Sequence, residues 1–162
     1  MSEIEVPYLR NCWYAAAYTN EVGDTPMSRQ LLGEFVVFYR TSDGVVHALE
    51  DRCPHRFAPL SMGTVIDDQI QCPYHGLRFG TDGACSYNPH YAALPKAACV
   101  KSYPLLERHG IIWIWMGKAD ADESKLPADF AFLDDPKFRG VRGYLKVAGN
   151  YQLVVDNLLD LT

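Results

Sequence analysis

The sequence lacks any run of eighteen apolar residues, so it offers no segment suited to a membrane-spanning helix. Its acidic N-terminus has no apolar stretch of the kind that a secretory signal peptide needs. It also lacks an excess of positive charge, because 20 acidic residues outnumber 15 lysines and arginines and give a net charge of −5. That balance gives no support to nucleic-acid binding. These absences predict a cytoplasmic protein with neither a membrane nor a nucleic-acid partner.

Two short segments of the chain each contain one thiol and one imidazole. They are Cys53-Pro54-His55 and Cys72-Pro73-Tyr74-His75, which read C-x-H and C-x-x-H with sixteen residues between them. A Rieske [2Fe–2S] cluster needs two cysteines on one iron and two histidines on the other. The spacing therefore predicts that Cys53, His55, Cys72 and His75 hold such a cluster and that each loop reaches both irons.

Two other interpretations of these segments remain open. Zinc also accepts two thiolates and two imidazoles, although its usual spacing groups like ligands together and here each pair is mixed. Alternatively, two buried thiols lie near two histidines without a metal. The flanking residues favour a ligand loop, since a proline stiffens the backbone after each cysteine and Gly76 follows the last histidine.

Other cysteines, histidines and arginines have less specific interpretations. In a reducing compartment the three remaining cysteines are most simply free thiols; they are Cys12, Cys85 and Cys99. Three histidines without metal-ligand spacing are assigned no chemistry; they are His47, His90 and His109. Three arginines near the ligand loops are either solvated or form a basic rim that docks an acidic electron donor; they are Arg52, Arg56 and Arg78.

Short apolar segments separated by turn signals run from residue 34 to residue 116. The predicted strands are 34–40, 45–50, 69–71, 77–79, 99–103 and 111–116. Such a series indicates an all-β sandwich or small barrel, and 162 residues suffice for one core and part of a second. The segment Ile111–Met116 is apolar on both alternating faces, which predicts burial on both sides.

The composition changes after Gly117. Residues 118–143 are polar, acidic and interrupted by proline, which predicts a linker between a first domain at 1–117 and a second unit at 144–162. A strand is predicted at 144–148 and a helix at 150–161, where apolar residues repeat at intervals of three and four. Asn157 and Asp160 share one face of that helix. Because the apolar stripe is unfinished at Thr162, we expect the chain to be part of a longer protein.

These residues resemble the oxygenase component of the Rieske non-heme iron oxygenases. The resemblance covers nearly the whole chain and is closest to the group that includes vanillate O-demethylase and dicamba monooxygenase. It rests on four segments, which are Asn11-Cys12-Trp13-Tyr14, Cys53–Ser61, Cys72–Gly76 and Asn150–Thr162. It implies a mainly β Rieske domain followed by the start of an α+β catalytic domain.

The resemblance also implies a function for the whole protein. A reductase or ferredoxin would deliver electrons through the cluster to a mononuclear Fe(II), which activates O₂ on a small aromatic substrate as a monooxygenase, demethylase or dioxygenase. Asp160 would bridge the cluster of a neighbouring subunit in a homotrimer to that iron, and Asn157 would lie near it. The iron ligands would follow Thr162, so residues 1–162 alone are expected to lack oxygenase turnover. A Rieske ferredoxin that only carries electrons is the alternative.

High-potential Rieske proteins add a disulfide between the two loops. By alignment of the motifs its cysteines would fall at Ala58 and Tyr74, and neither position is cysteine. The resemblance thus implies a low-potential cluster, at about −150 mV.

Overall fold

The computed structural model describes residues 8–94, 97–126, 130–141 and 143–160. Within these ranges, ten β-strands form three antiparallel sheets, with the orders β1-β10-β9, β2-β3-β4 and β5-β6-β7-β8. The strands are β1 Cys12–Tyr18, β2 Met27–Leu31, β3 Glu34–Arg40, β4 Val46–Glu50, β5 Thr64–Ile66, β6 Gln69–Gln71, β7 Arg78–Phe79, β8 Cys85–Tyr87, β9 Leu105–Arg108 and β10 Ile111–Met116. One α-helix, α1, spans Tyr151–Leu159. The mainly β prediction is confirmed.

The sheet β2-β3-β4 contributes to two separate hydrophobic cores. Its central strand β3 is rich in β-branched and aromatic residues, which favour a pleated and buried position. Because side chains alternate across a strand, Val36 and Phe38 enter one core while Val37 and Tyr39 enter the other. The strand thus lies between the sheet β1-β10-β9 and the region that carries the two ligand loops.

Strand β10 is likewise buried on both faces. Ile112, Ile114 and Met116 pack in the core shared with β3. Trp113 and Trp115 point the other way and pack with Trp13 and partly buried apolar side chains. The expected two-sided burial of this segment is what the structure shows, and this explains why the strand carries no polar side chain.

Residues after β10 cover this tryptophan face. The Trp13 indole N–H donates to the carbonyl of Asp122 at 2.8 Å, and that of Trp115 donates to the carbonyl of Ala119 at 2.8 Å. The first compact unit therefore extends to Phe130, and a second unit begins at Ala131. The change in composition predicts an end at Gly117, because polar composition does not show that backbone carbonyls beyond it accept hydrogen bonds from buried indoles.

In the second unit, helix α1 begins after Asn150, whose side chain accepts a hydrogen bond from the Gln152 N–H at 2.9 Å. The predicted helix included Leu161, which with Thr162 lies outside the described residues. The predicted strand at 144–148 is not observed, since those residues have no regular structure. A strand needs a hydrogen-bonding partner, and the described part of this unit supplies none.

A second predicted strand, at 99–103, is also absent as a regular element. Only two isolated bridges occur there, from Cys99 to Ala84 and from Ser102 to Leu49. Its apolar residues are nevertheless buried, with Val100 in the core beneath the ligand loops. Among the described residues, no helix has the length and apolar character needed to cross a membrane.

Candidate metal centre

The first ligand loop follows strand β4 and folds tightly around Cys53. The Cys53 N–H donates to the carbonyl of Ala58 at 2.9 Å, and the Phe57 N–H donates to the carbonyl of Cys53 at 2.9 Å. Phe57 has a positive φ of 60°, a conformation that residues other than glycine rarely adopt. The loop thereby presents the Cys53 side chain inward and the His55 side chain outward.

The second ligand loop, between β6 and β7, repeats this hydrogen-bond pattern. The Cys72 N–H donates to the carbonyl of Leu77 at 2.8 Å, and the Gly76 N–H donates to the carbonyl of Cys72 at 3.2 Å. Gly76 has a positive φ of 72°, which glycine adopts without a steric penalty. Gly76 and Phe57 thus occupy equivalent positions, four residues after the cysteine in each loop.

A buried carboxylate closes the first loop at its base. Asp51 accepts hydrogen bonds from the Ser61 N–H at 2.7 Å and from the Ser61 hydroxyl at 2.6 Å. It also accepts one from the Ser28 hydroxyl of β2 at 2.7 Å. Because Asp51 is only 8% exposed, these three donors replace the water that would otherwise solvate its charge. The loop that contains Cys53 and His55 is therefore tied to a rigid sheet.

The two thiols lie together in the interior. Cys53 and Cys72 are each 2% exposed and belong to the core that contains Tyr39 and Phe79. Burial, with a smaller contribution from the adjacent Cys72 thiol to which it hydrogen-bonds, raises the pKa of the Cys53 thiol to about 11. Two thiolates in this buried, apolar site need a nearby cation, and iron would supply it.

The two imidazoles lie together nearer the surface. The ring centroids of His55 and His75 are 4.7 Å apart, although the residues come from different loops. The Tyr74 ring packs on that of His75 with centroids 3.8 Å apart. Partial burial lowers the pKa of His75, and the positive charges of His55, His90 and Arg56 add to this effect. The neutral imidazole that iron requires is therefore favoured at His75.

This arrangement fits a two-iron cluster. Thiol is paired with thiol and imidazole with imidazole, as expected when each iron takes two side chains of one kind. A single zinc ion would instead draw all four donors around one point. Over the described ranges, no three His, Cys, Asp or Glu side chains are gathered as closely as one ion requires. The structure thus brings together Cys53 with Cys72 and His55 with His75, the four residues that the spacing predicts as ligands.

His90, to which the sequence assigns no chemistry, is a neighbour of this site. Its ring centroid is 6.5 Å from that of His75, and it lines a depression of about 440 Å³ together with His55, His75 and Tyr91. No spacing rule identifies it, since its position depends on the long loop between β8 and β9. The carboxamide of Asn88 accepts a hydrogen bond from the His90 N–H and shapes the loop there.

The three arginines near the loops differ in their contacts. Arg78 is held by Gln71 at 3.0 Å and Asp67 at 3.1 Å, which removes it from the expected basic rim. The Arg52 guanidinium lies over the Phe57 ring, 3.9 Å from its centroid. Arg56 is exposed, and within the described part of the chain neither Arg52 nor Arg56 forms an ion pair.

The two candidate residues of the second unit lie near the end of helix α1. Asn157 is exposed within the helix. Asp160 is the residue that caps the C-terminus of the helix, and its N–H donates to the carbonyl of Asp156 at 3.0 Å. Both residues therefore lie towards the same end of a short helix, and their roles stay predictions.

The Rieske [2Fe–2S] domain profile matches residues 12–104, which include both ligand loops. The chain belongs to the Rieske [2Fe–2S] domain family. Its cofactor is accordingly a Rieske [2Fe–2S] cluster, and the zinc interpretation is set aside. The match ends before the residues that cover the tryptophan face and before the second unit.

Similarity to characterised proteins extends beyond this Rieske domain. The chain is 49% identical to the oxygenase component of dicamba O-demethylase from Stenotrophomonas maltophilia over 95% of its length and 46% of that protein. It is 40% identical to the oxygenase subunit of vanillate O-demethylase from Pseudomonas sp. strain HR199 over 94% of its length and 43% of that protein. The chain thus spans less than half the length of these relatives.

Solved structures show the same relationship. The crystal structure of dicamba monooxygenase bound to dicamba superimposes with a TM-score of 0.91 at 49% identity, over 95% of this chain and 46% of that one. A structure of Pseudomonas putida NdmA with theobromine, an engineered variant, gives a TM-score of 0.68 at 34% identity over 80% of this chain. The fold resemblance implied by the sequence motifs is confirmed.

Proposed function

We propose that this chain is the electron-receiving part of a Rieske non-heme iron oxygenase component. The observation that carries the proposal is the inward pair of thiols beside the outward pair of imidazoles, in a chain whose similarity to oxygenase components continues past the Rieske domain. Cys53 and Cys72 would hold one iron, and His55 and His75 would hold the other. A bound cluster would supply one-electron transfer.

The chain's own residues prepare this site for electron transfer. Burial of Cys53 and Cys72 keeps water away from the sulfur ligands, which protects the cluster against hydrolysis. Exposure of the His55 and His75 edges leaves their second nitrogens able to hydrogen-bond outward. Ala58 and Tyr74 occupy the positions of the loop-linking disulfide, so the cluster would be of the low-potential kind.

His75 is the proposed exit for electrons from a bound cluster. In a homotrimer of the whole protein, Asp160 of a neighbouring copy would accept the outward hydrogen bond of His75 and would connect it to a mononuclear Fe(II), with Asn157 close to that iron. The position of Asp160 as the residue that caps the C-terminus of α1 supports this role. A head-to-tail ring of identical subunits closes such a set of interfaces.

The whole protein acts as a cytoplasmic monooxygenase or demethylase on an aromatic substrate. The proposal rests on the names of two relatives that align with 95% of this chain, the oxygenase component of dicamba O-demethylase and the iron-sulfur subunit of a putative toluene-4-sulfonate monooxygenase system. A reductase or ferredoxin supplies its electrons. Hydroxylation of a methoxy carbon would release formaldehyde and leave a phenol.

One measurement tests the cluster directly. We expect the purified chain to be coloured, with two iron atoms per chain and the EPR signal of a reduced Rieske centre, and alanine at Cys72 to abolish all three. Stoichiometric zinc in a colourless protein would overturn the proposal. A Rieske ferredoxin would give the same spectra, so the whole protein must also consume O₂ with an aryl methyl ether. The isolated residues 1–162 should be reduced without forming product.

A further inference from the structure

The two imidazoles of the metal centre differ in how closely other side chains surround them. His75 is half-buried, and its ring centroid lies 3.8 Å from that of Tyr74, 4.7 Å from that of His55 and 6.5 Å from that of His90. His55 is exposed, and within the described ranges the one ring that it contacts is that of His75. The fold therefore restrains one imidazole more than the other.

Tyr74 makes the closest of these contacts. The planes of the Tyr74 and His75 rings are inclined by 30°, with their centroids 3.8 Å apart. Aromatic pairs in proteins usually keep their centroids about 4.5–7 Å apart in offset or edge-to-face arrangements. The shorter distance places the Tyr74 ring over the face of the His75 ring, so a side chain that is not a ligand covers one that is.

The Tyr74 ring has no other contact in the structure that explains its presence. It is 63% exposed, so it adds little to the hydrophobic core beneath the loops. Among the described residues, its hydroxyl has no hydrogen-bond partner. Its contact with His75 is therefore made by the ring alone, and phenylalanine would make the same contact.

A second element limits the movement of the same ligand. In the loop between β8 and β9, the ring of Pro89 approaches the second ligand loop, where it would lie 3.3 Å from a β-carbon placed on Gly76. The next residue, His90, presents its ring to His75 at an angle of 71°. The surroundings of His75 thus come from two separate segments of the chain, which indicates that its orientation matters.

We propose that Tyr74 is a positioning residue, whose ring stacks on His75 and holds this imidazole in one orientation for a bound cluster. The inference rests on the proposed function and specifies what prepares the exit side of the cluster. A hydrogen bond from the outward nitrogen of His75 requires a fixed direction, because such bonds weaken steeply with angle. An aromatic pair favours the stacked arrangement about two- to tenfold over an unstacked one. His55, which has no such partner, is held less firmly.

The test is pulsed EPR of the reduced cluster in the full chain, which resolves the couplings of the two ligand nitrogens. We expect Tyr74→Ala to widen the distribution of one nitrogen coupling about twofold and to leave the other unchanged, because only one imidazole loses its stack. Tyr74→Phe, which keeps the ring, should restore the unmodified couplings. Tyr74→Leu, which keeps apolar bulk without a ring, should behave like Tyr74→Ala.

A matched control separates this effect from general loosening of the domain. Phe35→Ala removes an aromatic ring that is 57% exposed and that does not line the depression next to His55 and His75. It should leave both nitrogen couplings as they are. Equal broadening in Phe35→Ala would contradict a specific role of Tyr74. Broadening in Tyr74→Phe would assign the role to the hydroxyl, and unmodified couplings in Tyr74→Leu would assign it to bulk, so either result overturns ring stacking.

The outcomes also distinguish this inference from the proposed function. If the unmodified chain lacks the Rieske EPR signal, the proposed function fails. If the signal is present but Tyr74→Ala has the nitrogen couplings of the unmodified chain, only the positioning role of Tyr74 is wrong. Because Tyr74 is largely exposed, Tyr74→Ala should fold, and an unchanged melting temperature of the cluster-free chain would show this.

Discussion

Asp51 and Ser61 join the two ends of the first ligand loop through two hydrogen bonds, at 2.7 and 2.6 Å. The carboxylate brings a buried negative charge within two residues of Cys53. Reduction adds negative charge to the cluster, so a nearby carboxylate disfavours it. We predict that Asp51→Asn, which keeps the shape and an acceptor oxygen, raises the reduction potential while the Rieske EPR line shape is retained. An unchanged potential would show that the charge of Asp51 does not reach the cluster.

Asp51→Ala should act on stability as well. It leaves the Ser28 hydroxyl and both donors of Ser61 without their acceptor in a buried place. We expect a loss of about 2–4 kcal/mol in the free energy of unfolding and faster loss of the cluster on dilution into chelator. Urea denaturation followed at the cluster absorbance measures both. Asp51→Asn is the matched control, and equal destabilisation by the two variants would contradict a hydrogen-bonding role.

Gly63 lies where the first loop meets strand β6, and it has no room for a side chain. A β-carbon there would lie 1.9 Å from the carbonyl oxygen of Gln71, which immediately precedes the ligand Cys72. Gly63→Ala should therefore destabilise the chain by about 3 kcal/mol or more and lower the cluster content. At Gly23 nothing lies within 4 Å, so Gly23→Ala should be neutral or slightly stabilising. Similar melting temperatures for both variants would refute the close approach.

Stability in acid should depend on Glu34. Burial opposes its ionisation, but hydrogen bonds from Lys101, Tyr103 and Arg10 prevail and lower the pKa of Glu34 from 4.5 to about 2. A depressed carboxyl pKa stabilises the folded state above the unfolded value and loses this contribution as pH falls through the folded value. Between pH 4.5 and 2, wild type should lose about 2 kcal/mol more than Glu34→Gln, since the site is partly exposed. If the urea midpoints of wild type and Glu34→Gln fall by the same amount over this pH range, the contribution of the Glu34 carboxylate to stability is contradicted.

Part of the fold was predictable because its signals are local. Strand β10 was identified from a segment that is apolar on both alternating faces, and the turn at His109-Gly110 has positive φ at both residues, as a tight hairpin requires. The two ligand loops were identified because each keeps a thiol and an imidazole within four residues. The two loops lie side by side because β5, which follows the first loop, pairs with β6, which leads into the second.

Other parts depend on contacts between distant residues. Strand β1 contains three alanines and gives no clear local signal, yet it forms because Trp13 lies opposite Trp115 in the sheet. The predicted strand at 99–103 has the right residues but only two bridging partners. His90 approaches His75 through a loop whose path no periodicity describes. In each case the deciding partner is far away in sequence, so a local pattern cannot reveal it.

The strongest prediction tests the ligand assignment, because it asks whether nitrogen or sulfur atoms bind the outer iron. His55→Cys would replace one of two imidazoles on the outer iron by a thiolate, which adds negative charge to the cluster. The histidine pair is what raises Rieske potentials above those of all-cysteine clusters, which lie near about −400 mV. We therefore expect His55→Cys to keep a [2Fe–2S] absorption spectrum but to have a potential below about −150 mV, the lower limit of the Rieske range.

The control for that substitution is His47→Cys, which introduces a thiol in strand β4 at a histidine with no assigned chemistry. It should retain the Rieske EPR spectrum and the original potential. If His55→Cys also retains both, His55 is not a ligand and the outward imidazole pair has been misassigned. If instead the variant binds one zinc ion and stays colourless, the site tolerates a single tetrahedral metal. A lowered potential in His55→Cys alone, measured by redox titration, supports direct ligation by His55.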